Sequence, residues 1–197
     1  MQLRTNPIPP ANTTTIYIGT NANQLPADLA LRETFRQLSP QSYALAIGEQ
    51  GELRYCLKIE PSASYEKCLE AARKLSHNSW NHWSENLVLD NCLQENSNQQ
   101  LSAIAAGLSQ GRYKIGKWKS TAAADQSDFN LYLRRKGTLI TDNSSSDPLL
   151  GGQGTDHSKL ISAIRQSLIL AEIELRIMDL VNAPANHKRP QDLAKWA

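Results

Sequence analysis

Several groups of residues in this chain have types that could carry chemistry. Gly151-Gly152-Gln153-Gly154 invites two sharp readings, the Gly-Gly-Gln tip of peptide-release factors and a phosphate-cradling loop. A phosphate loop needs Gly-Lys-Ser/Thr entering a helix, but Thr155-Asp156-His157 follows here. The basic, extended surroundings of a release-factor tip are also missing. The stretch reads as a flexible loop ahead of a helix, whose dipole leaves weak anion binding open. Gly111–Ser120 interleaves Arg112, Lys114, Lys117 and Lys119 with Tyr113 and Trp118, and Arg134-Arg135-Lys136 adds a second basic run. Basic residues among aromatics can hold single strands or phosphates. A solvated turn whose aromatics pack back on the core is the commoner arrangement.

Metal and nucleophile candidates are thinner. His77, His82, His157 and His187 are scattered. Asn78-Ser79 reads as a helix stop, so His77 and His82 fall in a surface loop with Trp80 and Trp83 rather than on one helix face. Cys56, Cys68 and Cys92 are odd in number, have no C-x-x-C spacing and sit in apolar stretches. They read as free thiols filling a core in a reducing compartment, not as zinc ligands. No run of Asp and Glu is dense enough to hold two metal ions. The 21 Lys+Arg against 19 Asp+Glu give a formal net charge of +2, which argues against a dedicated nucleic-acid module. The first residues, MQLRTNPIPPANTTT, lack an apolar signal core, and no apolar run approaches the ~18 residues of a membrane span. The expected setting is the cytoplasm, without a membrane partner. The sequons at Asn12 and Asn143 then read as chance.

The elements that would position these residues alternate in type. Residues 1–14, rich in Pro, Asn and Thr, read as an extended lead-in. Strands are expected at Thr15–Gly19, Tyr43–Ile47, Glu52–Ile59, Asn86–Asp90 and Asp128–Arg134, with a hairpin turn at Gly48–Gly51. In the last of them Phe129, Leu131 and Leu133 should face inward and Asn130, Tyr132 and Arg134 outward. Helices are expected at 27–38, at 64–77 with Ser64 as N-cap and Tyr65, Cys68, Leu69, Ala72 and Leu75 on one face, and at 99–110 with Leu101, Ile104, Ala105 and Leu108 inward and Gly111 past its end. Residues 141–156 read as a loop. The longest helix then runs from Ser158 to Val181. Leu160, Ile161, Ile164, Leu168, Ala171, Leu175 and Met178 form its main apolar face, and Ile169, Leu170, Ile173 and Ile177 widen it. A helix apolar on more than one side is buried or faces a second body. Strands alternating with helices imply an α/β domain, a three-layer mixed sheet with helices on both faces.

Two segments carry a family resemblance. Asp179-Leu180-Val181-Asn182-Ala183-Pro184-Ala185-Asn186 resembles the D-L-V-N-x-P-x-N segment that leads into the catalytic domain of the leucyl (cytosol) aminopeptidases. Gly107, Gly111, Tyr113, Lys119 and Ser120 fall in register with that family's E-G-x-x-L-G-x-Y-x-F-D-x-Y-K-S stretch. Ala71-Ala72-Arg73 echoes its R-x-A-A-x-A-A-R helix. The pieces match in order and spacing over about residues 40–197. Departures are Leu57-Lys58-Ile59-Glu60 where the family often has Gly-Leu-Gly, Ile115, Gly116 and Trp118 in place of its Phe, Asp and second Tyr, and Arg189-Pro190 in place of Thr-Pro.

The resemblance implies the macrodomain-like amino-terminal domain of such an enzyme, over 15–157. The helix at 158–181 would bridge to a catalytic peptidase domain that begins within 182–197 and lies beyond this chain. That missing domain would hold two divalent metals, zinc or manganese, within motifs such as N-T-D-A-E-G-R, which this chain lacks. No catalytic, cofactor-binding or metal site is therefore expected in this chain. The implied partners are its own catalytic domain and further copies in a hexamer. A stand-alone macro-like module binding a nucleotide or nucleic acid is the alternative, although Lys58-Ile59-Glu60-Pro61 is a poor phosphate loop.

Overall fold

The computed structural model describes residues 1–5, 13–48, 51–93, 98–113, 129–135, 138–140 and 154–183, with helical backbone also at 191 and 194. In chain order come β1 (Gln2–Arg4), β2 (Thr13–Gly19), a short 3-10 turn (Ala22–Gln24), α1 (Leu29–Gln37), β3 (Ser42–Ile47), β4 (Leu53–Lys58), α2 (Tyr65–Ser79), β5 (Asn86–Asn91), α3 (Asn98–Gln110), β6 (Asn130–Arg135), β7 (Thr138–Leu139) and α4 (Gly154–Asn182). The strands form one mixed sheet in the order β1-β6-β5-β2-β4-β3, with β7 also on β6. The central pairs are parallel, as helical crossovers require. Among the described residues only β3–β4 and β6–β7 are antiparallel. The β3–β4 pair is the expected hairpin, and its turn uses Gly51 at φ +78°, a left-handed conformation that glycine adopts without a Cβ clash.

Helices cover both faces, so the α/β three-layer architecture holds. Ile16, Ile18, Leu57, Leu87, Leu89, Leu131 and Leu133 meet α2, α3 and α4 in the larger core, while Tyr17, Cys56 and Ala46 meet Leu31 and Phe35 of α1 in the smaller one. Within the larger core Trp83 stacks edge-on between Tyr55 and Phe129, at 6.2 and 5.9 Å between ring centres. The helix caps follow local chemistry. Asp28 accepts from Leu31 N at α1 and Ser64 accepts from Lys67 N at α2, each satisfying an amide that the first turn leaves free.

The structure corrects several expectations. The lead-in supplies a strand, because Gln2–Arg4 pairs in parallel with Asn130–Tyr132. Tyr132 is buried rather than outward, since this sheet is covered on both faces and alternation no longer marks a wet side. Asn78 and Ser79 belong to α2, which carries His77 in its last turn, and a 3-10 turn at Trp80–His82 follows. Leu69 is only half-buried, and Ala71 joins Cys68, Ala72 and Leu75 on the inner face. In α3 every residue from Leu101 to Ser109 is buried, because α2 and α4 flank it. α4 starts at Gly154, within the expected loop. Residues 114–128, 141–153 and 184–190, which hold most of the basic-aromatic run, the Gly-Gly-Gln stretch, Asn186 and His187, lie outside the described residues.

Candidate functional site

The last turns of α4 are where this molecule presents surface that its own core does not use. α4 has 29 residues, a length of roughly 43 Å at the α-helical rise. Its first half packs as the sequence predicts. Leu160, Ile161, Ile164, Leu168 and Ala171 are buried against α3 and the sheet. Beyond Ala171 the inner face loosens: Leu175 is half-buried and Met178 is 40% exposed. On the outer face Ile169, Ile173, Ile177 and Val181 recur at four-residue spacing, with Leu170 beside them. Their exposures run from 47% at Ile173 to 66% at Val181. Five large aliphatic side chains in one stripe exceed the scattered apolar exposure of an ordinary surface.

Polar contacts hold this stretch of α4 in place. Gln110 of α3 donates to Glu174. Asn182 Nδ2 donates to the Tyr113 hydroxyl at 3.1 Å and to the Met178 carbonyl at 2.8 Å. Asn182 and Tyr113 belong to the two motif segments, so the fold brings those segments together. A groove of about 810 Å³ opens beside them, between Met178 and Tyr113 on one side and Glu70, Arg73, Lys74 and His77 of α2 on the other. Within that wall Glu70 pairs with Arg73 at 2.5 Å and with Lys74 at 3.7 Å.

The two motif glycines are explained by packing. A Cβ on Gly107 would lie 2.3 Å from the Leu69 carbonyl oxygen, and one on Gly111 would lie 2.3 Å from that of Arg73. Hydrogen at these positions lets α3 approach the α2 backbone. Ser76 then reaches the Leu108 carbonyl at 2.7 Å.

The other candidates do not converge. Cys56, Cys68 and Cys92 are buried free thiols. Burial pushes the Cys56 thiol up to about 12 and the Cys68 thiol up to about 11, so neither is a thiolate near neutrality. His77 and His82 are exposed while His157 is buried at the start of α4. Among the described residues no three His, Cys, Asp or Glu side chains are placed to hold a metal ion. Arg112 is buried, with its guanidinium 4.1 Å from the centre of the Phe129 ring, which corrects its reading as part of a solvated basic turn.

Open α/β sheets usually bind ligands at the carboxyl ends of their strands, and there the described loops after β2 and β4 use several of their amides internally. Thr20 N and Asn21 N both donate to Gln24 Oε1, at 2.7 and 3.3 Å. Ile59 N donates to the Gly19 carbonyl and Ala63 N to that of Glu60. Sequence reading missed one charged row on the α1 face, where register sets Tyr17 beside Asp90 and Asp90 beside Arg134. Asp90 is buried 3.9 Å from Arg134. Burial raises the Tyr17 phenol, with Arg54 opposing. The only signal for this row was a carboxylate closing the apolar run Leu87-Val88-Leu89.

Comparison with known proteins agrees with this architecture. No family model matches the chain, and no curated protein does. Among solved structures, the chain is similar to the bottromycin maturation enzyme BotP at 18% identity and a TM-score of 0.59, over 92% of this chain and 35% of that one. BotP in complex with Mn matches at 17% and 0.59, over 92% and 34%. A lysine-to-glutamate mutant of tomato leucine aminopeptidase matches at 16% and 0.63, over 98% and 40%. The shared fold is the mixed α/β fold of the leucine aminopeptidase amino-terminal domain. The chain spans little more than a third of the length of these enzymes.

Proposed function

We propose that this chain is the non-catalytic amino-terminal domain of a metal-dependent, leucyl-aminopeptidase-like enzyme that removes N-terminal amino acids from peptides. The observation that carries the reading is the aliphatic outer stripe of α4. It lies on the helix that ends in the D-L-V-N-A-P-A-N segment, in a fold shared with leucine aminopeptidase. A helix apolar on two sides needs a second body, and a catalytic domain following α4 supplies one. The domain's role is then assembly and the shaping of access to the active site, in a cytoplasmic hexamer. The catalytic domain would carry the two divalent ions, zinc or manganese. The described residues here offer them no ligand cluster.

A free-standing module binding a nucleotide or nucleic acid is the weaker reading, because the amides of the crevice loop after β2 are already taken by Gln24. Two experiments test the proposal. The reading frame after Ala197 should continue into a peptidase domain with an N-T-D-A-E-G-R-like motif, and a stop codon there refutes it. The purified 197-residue chain should release no leucine from a leucyl substrate with added manganese or zinc. Metal-dependent release that copurifies with the chain would also overturn the reading.

A further inference from the structure

We infer that the free edge of β3 pairs antiparallel with the same edge of a second copy of this chain, about a twofold axis at Leu45. This inference is independent of the reading of α4.

β3 is the last strand of the sheet order. Its register with β4 sets which backbone groups are spent. Gly48 N donates to the Glu52 carbonyl at 3.0 Å, so the alternation of an antiparallel ladder turns Ala46, Ala44 and Ser42 toward β4. Tyr43, Leu45 and Ile47 turn their N–H and C=O groups to the open edge. Among the described residues no hydrogen bond reaches those groups. The same residues carry the larger side chains, and Leu45 is 47% and Ile47 66% exposed. Soluble proteins guard such edges with lysine, proline, a bulge or a covering segment. Ser42-Tyr43-Ala44-Leu45-Ala46-Ile47 has no charge and no proline, and its register with β4 runs without a bulge.

A second copy is the occupant this strand fits. A twofold at Leu45 sets Leu45 opposite Leu45 of the partner subunit, Tyr43 opposite the partner's Ile47, and Ile47 opposite the partner's Tyr43. Each of these pairs matches an outward residue with an outward residue, so each exchanges both of its hydrogen bonds. Shifting the register by one residue faces outward groups with inward ones and loses the ladder. In the paired register large side chains meet on the α2 side of the sheet, Ala44 meets the partner's Ala46 on the α1 side, and no like charges oppose one another. The contact is isologous, as a closed dimer requires.

Sedimentation of the whole chain from low to high micromolar concentration should show a monomer–dimer equilibrium. Hydrogen exchange should slow at the amides of Tyr43, Leu45 and Ile47 as the dimer forms. Leu45→Lys, at an exposed position, should leave the fold intact and raise the dimer dissociation constant at least tenfold. Leu45→Cys should cross-link the dimer under mild oxidation. Its Cα atoms would lie about 5.5 Å apart in a hydrogen-bonded pair, within disulfide range, and the native cysteines are all buried. Ile47→Cys, which faces Tyr43 rather than itself, should not cross-link. The inference is overturned if those three amides exchange at unprotected rates at the highest concentration. It is equally overturned if a dimer survives Leu45→Lys, including one that is lost instead in Ile173→Ser/Ile177→Ser, which would place the contact on α4.

Discussion

One glycine and one cysteine show how tightly the interior constrains single residues. Gly107 sits where a methyl group would strike the Leu69 carbonyl oxygen at 2.3 Å and Ala72 Cβ at 2.9 Å. The oxygen is backbone and cannot swing aside, so α3 must move. Gly107→Ala should lower stability by ~1–3 kcal/mol, the usual cost of overpacking, read as a lower urea midpoint. An unchanged midpoint would show that the α2–α3 seam is looser than its geometry. Cys56 is fully buried, and its thiol is pushed up to about 12 by burial, with Asp28 adding to the rise. A thiol with a raised folded pKa contributes stability that is complete below the unfolded value, near 8.5, and is lost as pH rises toward 12. Urea unfolding should therefore show stability falling from pH 8.5 to 10.5, with a shallower fall in Cys56→Ala. Equal slopes would remove Cys56 as a cause.

At the scale of the element, α4 is two helices in one. Ile164 is fully buried and Ile173 and Ile177 are about half exposed, although all three are isoleucines within four turns of one helix. Ile164→Ala should cost ~2–5 kcal/mol through lost burial and a residual cavity. Ile173→Ser/Ile177→Ser should change stability by no more than ~0.5 kcal/mol per site while lowering the binding of an apolar dye to the chain. Thermal melts and dye titration separate the two outcomes. A large loss of stability in the double serine variant would mean that the stripe is covered within a single copy. The pattern that gives α4 its double character was visible as a helix too apolar for one face. That Leu170, Ile173, Ile177 and Val181 stay uncovered follows from that pattern, but the point where cover ends was not visible, because it depends on where α3 and the sheet end relative to Ala171.

For the whole molecule, the proposed role rests on what the fold assembles. It brings Tyr113 and Asn182, one from each motif segment, within 3.1 Å. It leaves the histidines, cysteines and carboxylates without a common centre among the described residues. Binding a catalytic domain that packs on α4 should protect the amides of α4 beyond Ala171 from hydrogen exchange and stabilise this chain by mass action. A chain joined to such a domain and still exchanging freely over Glu172–Val181 would remove α4 as the bridge.

Local pattern sufficed for the hairpin at Gly48–Gly51, the Ser64 cap, the helical faces of Cys68 and Ile104, and the buried character of the three thiols. Each depends on neighbours within a turn or a strand, where periodicity of 2 or 3.6 residues sorts buried from exposed positions. The motif glycines were legible as a pattern, but their reason was not, since the Leu69 and Arg73 carbonyls they accommodate belong to another helix. The same holds for Gln2–Arg4, whose Pro- and Asn-rich flank reads as loop and whose strand exists because β6 offers it a parallel edge. Tyr132, Asp90 and Arg112 were misjudged or missed because a residue's polarity does not say whether both faces of its sheet are covered. Strand order, helix overlap and the open edge at β3 are long-range packing, fixed when distant segments bury apolar surface together, and only the tertiary structure decided them.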